Sequence, residues 1–198
     1  KKPKKEKKEK KGKKLKKDKK DKSCKQTTID DVAVIPSGSQ NKSKRKAKEK
    51  LPLWKHVLAP MVGGSELAFR MLTRKYGVDL AYTPMMYSGR FANEPEYRHA
   101  NFHTHELDRP LVAHFCGNDP STMVAAAKMI ESQVDAIDIN LGCPQRIAHS
   151  GNFGSYLLRD SEHHLIFPMV TALVAALSIP VFCKIRLLET QAKTIAFC

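Results

Sequence analysis

The 198-residue sequence has a single tryptophan, no CxxC pair and no long apolar run. Crossing a membrane as a helix takes roughly 18 or more consecutive apolar residues, so no membrane partner is expected. The five cysteines, at positions 24, 116, 143, 183 and 198, are odd in number and irregularly spaced. Nothing in that spacing suggests a disulfide framework, and a reducing compartment, cytoplasmic and/or nuclear, is expected. His99, His103 and His105 lie in a polar stretch without a nearby cysteine. They read as solvated loop histidines, and no metal is expected. The first residue is Lys1 rather than methionine, which leaves room for a preceding segment.

Net charge is absent from most of the chain. Residues 1–50 hold 22 basic against 7 acidic residues, and residues 51–198 hold 13 against 13, so the tail carries the whole excess of +15. Residues 1–26 are almost pure lysine with scattered acids. Such a segment cannot bury enough apolar surface to offset its ordering entropy and is expected to be disordered. A more apolar island, Ile29 to Pro36, precedes a second basic run, Lys42 to Lys50. Attraction to RNA phosphates, nuclear import through clusters such as Lys44-Arg45-Lys46, and a merely solvated tail all fit. Two regions follow: a tail over 1–50 and a globular part over 51–198. The second can bury one core, yet it falls short of a complete eight-stranded barrel, typically about 250 residues.

Within 51–198, short apolar runs alternate with amphipathic stretches. A first strand is predicted over His56 to Met61, then a helix capped by Ser65 and closed by Gly77. Leu80 to Thr83 is a second strand. Residues 84–109 read as a long polar connection anchored by Phe91, Tyr97 and Phe102. Leu111 to Cys116 is the third strand, and Asp119-Pro120 opens a helix to about Glu131, with proline at the favoured first position. A helix over 162–177, a strand over Val181 to Arg186 and the start of a helix after Glu189 complete the pattern. Strand–helix alternation argues for βαβ units and a parallel sheet.

The fourth strand carries the most informative stretch, Ala136 to Gln145. An apolar run with one acid at its centre, Asp138, gives way to Gly142-Cys143-Pro144. Pro144 has no N–H for a ladder, and Gly142 permits a sharp turn. Cys143 therefore stands at the C-terminal end of a parallel strand, where α/β folds do their chemistry. Alone it reads more readily as a buried small residue. Downstream, Gly151-Asn152-Phe153-Gly154 is a glycine-spaced loop, and Lys184 and Arg186 alternate on the fifth strand, pointing to one face.

Taken together, Asn140-Leu141-Gly142-Cys143-Pro144-Gln145 and Gly151-Asn152-Phe153-Gly154 resemble the signature of the tRNA-dihydrouridine synthases. Leu58-Ala59-Pro60-Met61-Val62, Leu80 to Met85 and Cys183-Lys184-Ile185-Arg186 match further landmarks of that family in the same order. The likeness is strongest to the eukaryotic subgroup acting on the first D-loop uridines, and it covers about residues 53–197. It implies a (β/α)8 TIM barrel, present here as roughly its first five β/α units. Strands six to eight and a C-terminal helical domain are expected to be absent, and with them the loops that hold the flavin phosphate.

The resemblance also implies a reaction: reduction of uridine in tRNA to 5,6-dihydrouridine, with FMN as cofactor and NADPH as reductant. Cys143 would be the proton donor to C5, a role that suits a thiol of ordinary pKa, about 8.5 and so mostly protonated at neutral pH. Pro60, Met61 and Val62 would lie against the flavin, Lys184 would bond its pyrimidine edge, and Asn140 and Arg186 would read the uracil. His114 stands where the family usually has glutamine, as a cofactor contact with fewer hydrogen bonds to offer. Gly63-Gly64 replaces a usual polar pair. Two rival readings remain: a non-catalytic RNA-associated protein with a basic tail and an incomplete barrel, and a flavin barrel reducing a small pyrimidine.

Overall fold

The structure, a computed structural model, describes residues 53–198. The expectations for the tail over 1–50 lie outside those residues. Elements follow in the order β1 (Val57–Leu58), α1 (Leu67–Lys75), β2 (Leu80–Tyr82), β3 (Met86–Tyr87), α2 (Ser88–Asn93), α3 (Pro95–Asn101) and β4 (Leu111–Cys116). Then come α4 (Pro120–Ile130), β5 (Ala136–Leu141), α5 (Arg146–Ser150), α6 (His163–Ala176), β6 (Val181–Ile185) and α7 (Gln191–Phe197). Every strand pairing is parallel, in the order β1-β2-β4-β5-β6, with β3 pairing β4 beyond the end of β2. The result is a curled parallel half-barrel, as the alternation of strands and helices predicts.

The two faces of the sheet are built differently. Odd-numbered residues of β4 and β5, among them Ala113, Phe115, Ile137, Ile139 and Leu141, join Met123, Ile130, Met169 and Leu173 of the helices in the main core. Phe115 meets Phe91 edge-on, with ring centroids 5.1 Å apart. The concave face holds only a small apolar cluster, Leu80, Val112 and Ala136, with Tyr82 and Phe182 packed on it. Toward the C-terminal ends that face becomes polar. No helix among the described residues is long and apolar enough to cross a membrane.

Several local expectations need correction. The first strand is two residues long, not six, because Ala59 to Gly64 turn away into a loop. Ser65 does not cap α1; Glu66 occupies that position without a side-chain bond. Ser65 Oγ instead accepts from Met61 N–H and donates to the Met61 carbonyl, bracing the loop after β1. The connection over 84–109 is folded into β3, α2 and α3. Tyr97 Oη accepts from Tyr87 N–H, and Arg98 donates to the Phe91 carbonyl. It is fastened to α1 through buried Asp108, which takes Arg70 at 2.8 Å and Arg74 at 3.0 Å. Asp119 caps α4 as predicted, accepting from Ser121 and Thr122 N–H.

Candidate active site at the C-terminal ends of the strands

Because all strands run parallel, the segments that follow β1, β5 and β6 meet at one end of the sheet. Cys143 lies two residues beyond β5, and its turn is made by a side chain. Asn140 Oδ1 accepts from the N–H groups of Gly142 (2.9 Å) and Cys143 (3.0 Å). This corrects one expectation. Gly142 has no left-handed φ, and a Cβ there would come no closer than 3.5 Å to its neighbours. Asn140 spends its carboxamide oxygen on the turn, and its Nδ2 faces Met85 Sδ.

The glycine-spaced loop has a clear structural task. The Cys143 carbonyl accepts from Ser155 N–H (3.0 Å) and Ser155 Oγ (3.1 Å). That approach requires glycine at 154, where φ is +68° and a Cβ would stand 2.6 Å from the Cys143 carbonyl oxygen. Cys143 is thus gripped on both sides, half-buried, and packed near Cys116, Ala148 and Phe153. Burial first, and then the neighbouring Cys143, push the Cys116 thiol up to about 12.

Pro60, Met61 and Val62 follow β1 at the same end. Pro60 is half-buried, while Met61 and Val62 are 40% and 75% exposed. Lys184 is the register partner of Asn140 on the adjacent strand and lines a cleft of about 580 Å³ with Tyr82, Asp138 and Phe182. Arg186 does not share that face. It lies just past β6, donates through Nε to the Gly142 carbonyl at 3.2 Å, and lines a separate cleft with residues of α6 and α7. The strand ends at Ile185, so the alternation that pairs Lys184 with Arg186 is broken there.

His114 is where the concave face was expected to meet a cofactor, but it does not stand alone. Its Nδ1 lies 2.5 Å from Asp138 Oδ2, and both side chains are almost fully buried. Burial pushes the Asp138 carboxyl above its ordinary range, against the pull of the His114 bond and the Lys184 charge. Asp138 is the functional candidate that reading the sequence passed over. Its signal was present, since a carboxylate in an otherwise apolar buried strand calls for a partner. Among the described residues no cluster of three or more His, Cys, Asp or Glu could hold a metal ion.

The sequence profile of the dihydrouridine synthase family matches residues 57–198. This chain belongs to the dihydrouridine synthase family. It is 44% identical over 144 residues to tRNA-dihydrouridine(16/17) synthase, NAD(P)(+), of Saccharomyces cerevisiae, an overlap covering 71% of this chain and 34% of the relative. It is 46% identical over 145 residues to the protein of that name from Schizosaccharomyces pombe, covering 72% and 36%. A human tRNA-dihydrouridine(20a/20b) synthase-like protein is 35% identical over 184 residues, covering 88% and 53%. The overlap with the two yeast proteins thus spans about a third of their length.

The residues of this chain fit the flavin that its family implies. The pyrimidine half of a flavin needs hydrogen-bond donors, an acceptor for its imide N–H and a positive charge for its reduced form. Lys184 makes no ion pair among the described residues, and Asp138 Oδ1 is buried without a partner. Both border a cleft on the concave face.

Proposed function

We propose that this chain supplies the front part of the catalytic barrel of an enzyme that reduces D-loop uridine in tRNA to 5,6-dihydrouridine. FMN is the cofactor and NADPH the reductant. The observation that carries the reading is the placement of Cys143. It is held by Asn140 and Ser155 at the C-terminal end of β5, with Lys184 on the neighbouring strand.

A reduced flavin held beside Lys184 would supply hydride chemistry toward C6 of the uracil ring. Cys143 Sγ donates its proton to C5, and the turn that grips its backbone fixes where that proton is delivered. Lys184 stabilises negative charge at the pyrimidine edge of the flavin. Pro60, Met61 and Val62 would hold the flavin ring, with the Met61 backbone braced by Ser65. Arg186, tied to the Gly142 carbonyl, orients the cysteine turn and reaches the nucleotide from the α6 side. The base must leave its stack, which costs least in an unpaired loop. The lysine-rich residues 1–50 add salt-sensitive attraction to tRNA phosphates, and the chain acts in the cytoplasm, the nucleus or both.

The test is dihydrouridine formation in tRNA by the purified protein with FMN and NADPH, alongside its visible absorption near ~450 nm, the band of a bound flavin. Cys143→Ala is expected to keep the flavin band while losing activity by about 10²–10⁴-fold, the usual weight of a general acid. Retention of full activity in that variant would falsify the assignment of Cys143. RNA binding without any flavin band would favour the non-catalytic reading instead.

A further inference from the structure

Two arginines are tied to the cysteine turn and leave their charge unspent. Arg186 donates through Nε to the Gly142 carbonyl at 3.2 Å. Arg159 lies over the Tyr156 ring, 4.9 Å from its centroid, and Tyr156 Oη donates to the Pro144 carbonyl at 3.1 Å. The residues on either side of Cys143 therefore anchor one guanidinium each. Neither arginine forms an ion pair among the described residues. No hydrogen bond among those residues uses Arg159, and Arg186 engages only its Nε.

Both arginines line a cleft of about 610 Å³ between α6 and α7, within the usual range of a ligand pocket, roughly 300–1,000 Å³. The other charges there largely cancel, since Lys193 pairs with Glu189 and also feels Asp160. The apolar wall includes Phe167 and Leu187, which are 60% and 81% exposed. Ser155, whose N–H and hydroxyl grip the Cys143 carbonyl, lines the same cleft, so it opens directly beside the cysteine. Guanidinium groups next to an exposed aromatic ring are what a groove for single-stranded nucleic acid requires: charge for phosphate, a π-face for a base.

We infer that this cleft holds the nucleotide next to the uridine at Cys143, with the phosphodiester between Arg159 and Arg186 and the base against Phe167. This rests on the tRNA reading above and adds to it a subsite for the strand beyond the reacting base. An RNA strand that places a uridine at Cys143 must continue past it, and the cleft shares Ser155 and Arg186 with the turn that holds the cysteine. Arg186 has its Nη groups left for a phosphate, and Arg159 its whole fork. Phosphate contacts fix the register of a strand without reading its sequence. Arg159 is thus a positioning residue: it sets where the uridine stops along the strand, while the groups around Cys143 act on the base.

The experiment titrates the 198-residue chain with a fluorescein-labelled RNA heptamer that has one central uridine among cytidines. Anisotropy gives affinity over a range of salt, and mass spectrometry of the Cys143 peptide reports whether the RNA shields that thiol from iodoacetamide. Two further heptamers carry a neutral methylphosphonate linkage, one on each side of the uridine. One of these is expected to weaken wild-type binding about fivefold, the upper weight of an exposed ion pair. Arg159→Gln should lose the same factor with the natural heptamer, lose nothing more with that neutral linkage, and flatten the salt slope by about 0.7. Arg159→Lys should restore the sensitivity to the neutral linkage. Phe167→Ser should weaken binding by about fivefold or more, the weight of one stacked base, without changing the slope. Undiminished affinity in Arg159→Gln while the heptamer still shields Cys143 would overturn the subsite and leave the tRNA reading standing. A heptamer that binds without shielding Cys143 would remove that reading and the subsite with it. Loss of FMN or NADPH binding in Arg159→Gln, with RNA binding intact, would likewise overturn the proposal.

Discussion

The two faces of β4 and β5 share the same backbone, the same register and nearly the same burial, yet they do opposite work. Toward the helices, Ala113, Phe115, Ile137, Ile139 and Leu141 are fully buried and apolar. Toward the concave side, His114, Asp138 and Asn140 are equally buried and polar. One face gains free energy by removing apolar area from water. The other carries polar groups that cost free energy unless they find partners. Burial therefore does not separate structure from function in this sheet; the satisfaction of polar atoms does. The helix-facing side is complete within the chain, whereas Asp138 Oδ1 is left without a partner.

The difference predicts where substitutions unfold the protein and where they only disarm it. Phe115→Ala removes the ring that meets Phe91 and leaves a cavity under α4, so chemical denaturation should show a loss of about 3–5 kcal/mol. A loss below about 1 kcal/mol would mean that the helix-facing side is not the stabilising one.

Two glycines sharpen the comparison within the cysteine loop. Gly154→Ala forces a side chain into left-handed backbone and onto the Cys143 carbonyl, for a cost of at least about 1–2 kcal/mol. Gly142→Ala meets no such obstacle and should lie within about 0.5 kcal/mol of the wild type. Equal effects at the two positions, measured by urea unfolding, would contradict the assigned roles of the loop.

Glu131, at the end of α4, tests the helix side by pH. Burial pushes its carboxyl up, but the Lys128 ammonium and the Ser178 N–H and hydroxyl outweigh that and hold it at about 2. A depressed folded-state value contributes stability above the unfolded value and loses it as pH falls through the folded one. Acid titration should therefore show the advantage of wild type over Glu131→Gln shrinking between about pH 4.5 and about pH 2. An advantage that is constant over that window would show that ionisation of Glu131 does not contribute. The smallest stability effect belongs to the concave rim. Lys184→Met replaces an exposed ammonium and should change stability by no more than about 0.5 kcal/mol while weakening flavin binding. A large loss of stability there would break the division between the two faces.

How legible each part was depended on the range of the interactions that make it. Leu111–Cys116 and Ala136–Leu141 are continuous apolar runs, and Asp119-Pro120 is a local helix start, so they could be read directly. Residues 84–109 could not, because β3, α2 and α3 are short and are held by Tyr97 and Arg98 bonding within the segment and by Asp108 bonding across the fold to α1. Ser65 looked like a cap because serine before a helix usually is one; its hydroxyl was claimed by the Met61 backbone. Arg186 looked coplanar with Lys184 until the strand stopped one residue short of it.

By itself the sequence determined the family, the parallel α/β pattern and the position of Cys143 at a strand end, because these follow from motif order and local periodicity. Only the tertiary structure decided that Asn140 builds the cysteine turn, that Gly154 rather than Gly142 needs to be glycine, and that His114 is paired with Asp138. Those facts depend on register between strands and on the approach of loops distant in sequence. A one-dimensional pattern does not encode which polar atom meets which; parallel pairing of β4 with β5 does.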